Sequence, residues 1–233
     1  RFSLEGAESL IPSLHKGINE GLNLGVCEFV FGMAHRGRLN ILANIFGKPF
    51  HEIFKEFEGV EYVEDEFDGD VKYHMGYKST INSNNQDVHL TLIPNPSHLE
   101  AVNSVAAGIS RTKMDKKYNG DQRKVFPILI HGDAAISGQG VVYEFAQMSQ
   151  LQGYKTGGTL HIIINNQVGF TTNYLDGRSS TYCTDVAKIT LSPVLHVNGD
   201  DVESLTHAIT FAIKYRQTFQ KDVFIDLLCY RKY

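Results

Sequence analysis

Hydrophobic and polar positions follow two patterns along the chain, one typical of helices and one of buried strands. Apolar residues recur at steps of three and four from Leu10 to Leu22, which predicts a helix that ends at Gly25. Further helices are predicted over residues 39–46, 50–57, 141–151 and 202–219, and another is predicted to begin near Ser97. Apolar segments of strand length predict strands in "CEFVFGMAH", "VHLTLIPNP", "VFPILIHG", "TLHIIIN", "SPVLHVNG" and "DVFIDLLCY".

The order of these elements predicts the fold class. Strands and helices alternate in the second half of the chain, which favours an α/β fold with a mostly parallel sheet and helices on both faces. Polar segments at residues 58–70 and in "MDKKYNGDQRK" are predicted to be solvated connections. We expect residues 1–233 to form one domain, a fragment of a longer chain, because the sequence stops at Tyr233 directly after an apolar strand.

Composition narrows the classes of function. The 233 residues, 42% of them hydrophobic, can bury a substantial core, and the net charge of −4 comes without a basic stripe, so we expect no nucleic-acid partner. No apolar run approaches the roughly 20 residues that span a bilayer, so we expect a soluble domain with no membrane partner. The cysteines Cys27, Cys183 and Cys229 are isolated, which favours neither a zinc site nor a disulfide framework and fits a reducing compartment.

Two of the predicted strands end in polar residues that carry candidate chemistry. The run "LHIIINNQVGF" ends in Asn165 and Asn166, and the preceding strand runs into "HGDAAISGQG", where Asp133 follows Gly132. If these strands are neighbours in a parallel sheet, Asp133 and Asn166 meet at its carboxyl edge. A carboxylate, an amide oxygen and a turn carbonyl are ligands that suit Mg²⁺, which commonly bridges to a diphosphate.

The glycines after Asp133 add to this hypothesis and also suggest a rival. Gly138 and Gly140 allow the backbone close approach, and a helix N-terminus beyond them would favour an anion. The rival is a dinucleotide fingerprint in "GQGVVY", but Tyr143 stands in place of its third glycine and no acidic residue closes a following strand. At each strand end, the alternative without a binding function is an ordinary turn.

Several motifs together resemble one family. "GDAA" followed by "NN" is similar to the diphosphate-binding motif of thiamine diphosphate enzymes, with Ala134 in place of its second glycine and a slightly longer gap. Both departures resemble the 2-oxoglutarate dehydrogenase group. The resemblance extends over essentially the whole chain in "RFSLEG", "GMAHRGRLN", "GDVKYHMG", "NPSHLEAV", "HGDAAISGQGVVYE", "INNQVGFTT", "RSSTYCTD", "HVNGDD" and "DVFIDLLCYR".

The resemblance implies roles in metal and cofactor binding. It implies that Asp133 and Asn166 bind Mg²⁺ by their side chains and Val168 by its carbonyl, with Asp133 and Asn166 also contacting thiamine diphosphate. It further implies that Ala134 and Ala135 hold the cofactor through backbone groups. Two more cofactor contacts are implied away from this motif, Leu99 by packing and Arg36 as a charge partner of the diphosphate.

The resemblance also implies catalytic and substrate-binding residues. His35 and His74 resemble the active-site histidines of the family, and His74 and Ser97 resemble substrate contacts. His131, beside the metal motif, is predicted to lie in the core or behind the site. Lys78 stands where some members offer a serine to the substrate, so that role is not transferred.

The activity implied is thiamine diphosphate- and Mg²⁺-dependent oxidative decarboxylation of 2-oxoglutarate in the tricarboxylic acid cycle. The acyl group would pass to the lipoyl domain of the dihydrolipoyl succinyltransferase component of a multienzyme complex. The resemblance implies a homodimer, in bacterial cytoplasm or the mitochondrial matrix, and places the glutamate that the aminopyrimidine ring needs in a later domain. The fragment alone is therefore expected to be inactive.

The sequence leaves three other functions open. The substrate could be 2-oxoadipate, which a related branch of the family uses. The domain could instead be a non-catalytic α/β interaction module, although the polar set of Asp133, Asn166, His35, His74 and Arg36 argues against it. A nicotinamide dehydrogenase is disfavoured by Tyr143.

Overall fold

The computed structural model describes residues 3–58, 74–83 and 86–231 of the chain. Most of the acidic connection predicted at residues 58–70 lies outside these residues, as do Tyr233 and the first two residues of "RFSLEG". None of the described helices is long and apolar enough to cross a membrane.

The strands and helices follow one another as the hydrophobic pattern indicates. The strands are β1 Glu28–Met33, β2 Tyr77–Ser83, β3 Gln86–Leu92, β4 Val125–Gly132, β5 Leu160–Asn165, β6 Val168–Gly169, β7 Thr172–Asn173, β8 Val194–Asn198 and β9 Val223–Leu228. The helices are α1 Leu10–Asn23, α2 Arg38–Asn44, α3 Phe50–Glu58, α4 Val102–Lys117, α5 Asp133–Gly138, α6 Gly140–Met148, α7 Tyr174–Gly177 and α8 Val202–Phe219, and a 3-10 helix spans Cys183–Thr190.

One seven-stranded sheet organises the described residues, in the order β2-β3-β1-β4-β5-β9-β8. Every pair in it is parallel except β2 with β3, so the predicted mostly parallel α/β sheet is confirmed. Strands β6 and β7 form a separate two-stranded hairpin just after β5. The central strands β1, β4 and β5 are buried on both faces, which explains their nearly continuous apolar sequences.

Helices cover both faces of the sheet. On one face α1 and α8 pack on each other and on the apolar side chains of β1, β4, β5 and β9. Their close approach depends on Gly17, because a Cβ there would lie 2.6 Å from Cγ2 of Ile209. On the other face lie α4, α6 and the 3-10 helix, in two smaller apolar clusters.

Three local predictions differ from the structure. The helix predicted near Ser97 begins at Val102, because Glu100 has a left-handed backbone with φ 71° that a right-handed helix excludes. Residues 114–117, predicted as a solvated connection, are the last turn of α4, anchored by the fully buried Met114. The helix predicted at residues 141–151 spans Gly140–Met148.

Six further elements of the described residues escaped prediction, namely β2, β6, β7, α5, α7 and the 3-10 helix. Strand β2 alternates half-buried and exposed positions at the sheet edge, so it lacks the apolar run that predicts an inner strand. Helix α5 begins at Asp133, directly after β4, where a turn was expected. Gly138 and Gly140 therefore lie at the break between α5 and α6 and do not precede the first helix after the strand.

Candidate functional site

The two polar strand ends lie side by side at the carboxyl edge of the sheet. Strands β4 and β5 are parallel neighbours, with Gly132 opposite Ile164, so the predicted adjacency is confirmed. Asp133 leaves β4 at this edge and Asn166 follows the last residue of β5, and both side chains are buried. An open groove of about 960 Å³ lies along the same edge and is lined by residues from β5, β8, β9 and the segment 174–182.

Asp133 is a buried carboxylate with a cationic partner. Burial raises its pKa, while Arg178 and the backbone N–H groups of Asp133 and Ala134 partly offset that effect. Arg178 Nη1 lies 3.3 Å from Asp133 Oδ2, and its guanidinium stacks over the Tyr174 ring at 5.2 Å. Arg178 Nε is buried and makes no hydrogen bond to the residues that the structure describes. The positive charge of Arg178 thus favours the ionised form of this buried carboxylate.

The two consecutive amide side chains at the end of β5, Asn165 and Asn166, have different roles. Asn165 Nδ2 donates to Asp226 Oδ1 at 2.9 Å, which ties the end of β5 to β9. Asn166 makes a turn of its own, in which its Oδ1 accepts from Val168 N at 3.2 Å. Gln167 between Asn166 and Val168 has φ 64°, and this left-handed residue reverses the chain into the β6–β7 hairpin. Asn165 is therefore structural, and Asn166 is the amide that accompanies Val168.

The two halves of the motif touch through small residues. A Cβ built on Gly169 would lie 2.8 Å from Cβ of Ala134, closer than side-chain carbons approach. Glycine at position 169 therefore lets the turn after β5 lie against the start of α5. Ala134 is exposed and Ala135 is buried beneath it.

The candidate histidines lie near the same edge, His35 shortly after β1 and His74 shortly before β2. His35 follows β1 and is half-buried, and burial lowers its pKa, assisted by the nearby charges of Arg36 and His74. His74 is buried, and its carbonyl accepts from Asn95 N at 3.1 Å. The two imidazoles are thus close enough for the charge on one to disfavour the charge on the other.

Arg36 links this histidine pair to the metal motif. Burial lowers its pKa, while Asp133 is among the negative groups that raise it. Its Nη1 donates to Ser3 O at 3.2 Å. Asp133 and Arg36 therefore lie within electrostatic reach of each other at the carboxyl edge.

The loop between β3 and α4 carries the remaining candidates. Ser97 and Leu99 are exposed in this loop, and the next residue, Glu100, is buried. Glu100 Oε2 lies 2.6 Å from His131 Nδ1, and Asn103 Nδ2 donates to the same oxygen at 2.8 Å. His131 thus lies in the core, which is one of the two locations predicted for it. Its contact with Glu100 anchors the loop.

His131 also continues into a second buried imidazole. Its Nε2 lies 2.9 Å from His161 Nδ1, and the His161 ring stacks on Phe224 with centroids 4.1 Å apart. Complete burial and the neighbouring His131 hold the pKa of His161 well below its ordinary value. His161 is therefore a neutral core histidine at physiological pH.

The oxygen ligands at this edge fit Mg²⁺. Among the described residues no three or more His, Cys, Asp or Glu side chains converge to hold a metal ion, so any metal here needs a mixed ligand set. The Asp133 carboxylate, the Asn166 amide oxygen and the Val168 carbonyl supply such a set of hard oxygens. The nearby guanidinium groups of Arg36 and Arg178 suit a polyanion such as a diphosphate.

Sequence reasoning missed several residues that build this region. Arg178 lies in "RSSTYCTD" and Glu100 in "NPSHLEAV", so both motifs were recognised without a role for these side chains. Their contacts with Asp133 and His131 are non-local, and no spacing rule predicts them. Lys78 is an exposed residue of β2.

Comparison with known proteins identifies relatives across the whole chain. A family model described as "Dehydrogenase E1 component" matches residues 1–233. The chain is 53% identical over its full length to the 2-oxoglutarate dehydrogenase E1 component of Azotobacter vinelandii and covers 25% of that protein. It is 52% identical to the multifunctional 2-oxoglutarate metabolism enzyme of Mycolicibacterium vanbaalenii, covering 19% of it, and 50% identical to the mitochondrial 2-oxoglutarate dehydrogenase of Dictyostelium discoideum, covering 23% of it. The chain thus spans about a quarter or less of these relatives' length.

Proposed function

The chain belongs to the dehydrogenase E1 component family, whose members depend on thiamine diphosphate, and we propose that it forms the diphosphate- and Mg²⁺-binding half of a 2-oxoglutarate dehydrogenase site. The observation that carries the proposal is the pairing of Asp133 and Asn166 at neighbouring strand ends. The close approach of Gly169 to Ala134 supports it, because it brings the two halves of the motif together.

In this proposal the metal and the cofactor are held by the oxygens and small residues at the carboxyl edge. The side chains of Asp133 and Asn166 and the carbonyl of Val168 bind Mg²⁺. Backbone groups of Ala134 and Ala135 hold the cofactor. When bound, thiamine diphosphate supplies the electron sink for decarboxylation of a 2-oxo acid.

Two further residues complete the contacts to the cofactor. Arg36 neutralises diphosphate charge, and its electrostatic coupling to Asp133 supports that location. The exposed Leu99 packs on the cofactor from the loop that Glu100 anchors.

His35, His74 and Ser97 receive the substrate in this proposal. The lowered pKa of His35 favours the neutral imidazole at pH 7, which can accept a proton or donate one hydrogen bond. His74 is buried beside it, so the pair can bind a carboxylate and move a proton at one place. Ser97, exposed in the loop after β3, offers a hydroxyl to the substrate.

The substrate and partners proposed are those of the 2-oxoglutarate branch. Relatives named for 2-oxoglutarate are about 50% identical to this chain, which supports 2-oxoglutarate over 2-oxoadipate. The acyl acceptor would be the lipoyl domain of a dihydrolipoyl succinyltransferase, within a homodimeric component of a multienzyme complex. Residues 1–233 would act as one domain of a longer chain, whose later domain supplies the group that faces the aminopyrimidine ring. The compartment would be bacterial cytoplasm or mitochondrial matrix, since both kinds of relative occur.

A decarboxylation assay on the full-length protein tests the proposal. With thiamine diphosphate, Mg²⁺ and an artificial electron acceptor, 2-oxoglutarate should be decarboxylated with a higher kcat/KM than 2-oxoadipate. Residues 1–233 alone should release no CO₂. Faster turnover of the longer acid would move the assignment to the 2-oxoadipate branch, and absence of both activities would favour a non-catalytic module.

A further inference from the structure

Arg38 is a buried guanidinium whose hydrogen bonds are all made to the main chain. It is fully buried, and each of its four side-chain hydrogen bonds to the described residues ends on a backbone carbonyl. Burial lowers its pKa to about 10, so it remains charged at neutral pH. A buried charge is costly, and a protein retains one where its geometry is needed.

The carbonyls bound by Arg38 belong to three chain segments at the carboxyl edge. Nη1 donates to Met33 O, at the end of β1, at 3.0 Å. Nη2 donates to Ile93 O, just after β3, at 2.8 Å, and to Met75 O at 2.9 Å. A longer contact of 3.4 Å reaches His74 O.

The main chain of Arg38 adds a link to the other candidate histidine. Its backbone N–H donates to His35 O at 3.2 Å. One residue therefore contacts the peptide groups of both His35 and His74. It also holds the end of β3, from which the Ser97 loop departs.

We propose that Arg38 is a positioning residue that sets the location of His35 relative to His74. The planar fork of a guanidinium can bind carbonyls on separate segments at fixed angles, whereas an ammonium group cannot reproduce that geometry. The catalytic consequence rests on the proposed function of the site, because it requires the two histidines to act on one substrate. The structural consequence does not depend on that function.

Arg216 provides a matched control. It too is fully buried, and burial lowers its pKa to about 9. Its Nη2 donates to Val125 O at 2.9 Å and to Thr156 O at 2.7 Å, and its Nε donates to Gly158 O at 3.0 Å. These carbonyls lie at the amino-terminal ends of β4 and β5, opposite the candidate site.

The experiment compares Arg38→Lys with Arg216→Lys in the full-length protein. Both variants should lower Tm, because both lose hydrogen bonds to buried carbonyls. Arg38→Lys should also lower kcat/KM for 2-oxoglutarate on the order of 100-fold, since misplacement of a catalytic group by about 1 Å costs that much. Arg216→Lys should leave kcat/KM unchanged.

A second readout is independent of turnover. Selective labelling of histidines, assigned with His35→Asn and His74→Asn, gives the titration of His35 by NMR. In Arg38→Lys the pKa of His35 should move towards its ordinary value of 6.5, because the imidazole leaves its buried place beside His74. Arg216→Lys should leave that titration in place.

A second variant leaves the Arg38 side chain itself unchanged. A Cβ on Gly76 would lie 2.6 Å from Cδ of Pro94, so Gly76→Ala must displace the segment that Arg38 holds. It should reproduce both the loss of kcat/KM and the change in His35 titration. An unchanged titration of His35 in Arg38→Lys, or equal effects of Arg38→Lys and Arg216→Lys on it, would overturn the inference. If the wild-type protein decarboxylates no 2-oxo acid, the proposed function fails, and the titration still decides the role of Arg38.

Discussion

Oε2 of Glu100 lies 2.6 Å from Nδ1 of His131, and both side chains are buried. This pair joins β4, which is followed directly by Asp133, to the loop that carries Ser97 and Leu99. Burial alone would raise the pKa of Glu100, but the charge of His131 and hydrogen bonds from His131 and Asn103 outweigh it and hold that pKa below its ordinary value. A buried contact between Glu100 and His131 therefore connects the proposed metal site to the loop with the proposed substrate and cofactor contacts.

Replacement of Glu100 by glutamine should weaken this connection. Glu100→Gln keeps the shape but removes the charge, and we expect the free energy of unfolding at pH 7 to fall by about 1–3 kcal/mol. Because the folded-state pKa of Glu100 is lowered, its contribution is present above the ordinary value of 4.5 and is lost as the pH falls through the folded-state pKa. The difference between variant and wild type should therefore shrink in acid, as measured by urea unfolding at several pH values.

An exposed ion pair provides the control for Glu100→Gln. Asp115 accepts from Arg111 Nε at 2.9 Å near the surface, so Asp115→Asn should change the free energy of unfolding by less than about 1 kcal/mol. Equal effects of Glu100→Gln and Asp115→Asn on the free energy of unfolding would contradict a larger stabilising contribution from the buried pair.

The contact of Gly169 with Ala134 predicts a sensitive position. Gly169→Ala must push the turn after β5 away from α5, because the new Cβ would lie 2.8 Å from that of Ala134. We expect a loss of stability of about 1–3 kcal/mol and weaker binding of thiamine diphosphate with Mg²⁺ by the full-length protein. Gly153→Ala is the matched control, since a Cβ there would meet no atom of the described part of the chain within 4 Å. Wild-type affinity in Gly169→Ala would show that the two halves of the motif need not touch.

The sequence predicted the outline of this site for a physical reason. Consecutive parallel strands place their carboxyl ends at one edge, so Asp133 and Asn166 could be brought together from strand order alone. The structural role of Asn165 escaped the sequence, because it depends on Asp226 in β9, a partner far along the chain. The roles of Arg178 and Glu100 escaped for the same reason.

Elements with weak local signals were also beyond sequence reasoning. Strand β2 is an edge strand without an apolar run, and it pairs antiparallel to β3. The start of α4 depends on the left-handed conformation of Glu100, which its buried contact to His131 stabilises. A glutamate in a sequence carries no signal of that conformation.

We expect Arg178 to compete with a metal ion for the carboxylate of Asp133. Its guanidinium lies 3.3 Å from the carboxylate that we propose as a metal ligand. Arg178→Gln removes the competing charge, so the full-length protein should bind Mg²⁺ more tightly in the absence of thiamine diphosphate. Calorimetric titration with Mg²⁺ alone measures this change. Weaker binding would mean that Arg178 supports the metal site.

For Asp222 we expect a dependence of the free energy of unfolding on pH that has the opposite sign to that for Glu100. Burial raises its pKa from an ordinary 3.8 to about 6, despite the N–H of Thr159 and the charge of Arg216. Its stabilising contribution is therefore full below 3.8 and is lost as the pH rises through about 6. The side chain in Asp222→Asn stays neutral at every pH. The free energy of unfolding of this variant, relative to that of the wild type, should therefore rise by up to roughly 3 kcal/mol between about pH 4 and pH 8. A constant difference across that range would contradict the assignment.

The proposed function depends above all on Asp133, which we propose holds a metal ion that binds the diphosphate. The most direct test is calorimetric titration of thiamine diphosphate into the full-length protein with and without Mg²⁺, for the wild type and Asp133→Ala. Asp200→Ala, at an exposed turn, is the control. We expect Mg²⁺-dependent binding in the wild type and in Asp200→Ala, and its loss in a folded Asp133→Ala. Metal-dependent binding that survives in Asp133→Ala, or no binding in the wild type, would contradict it.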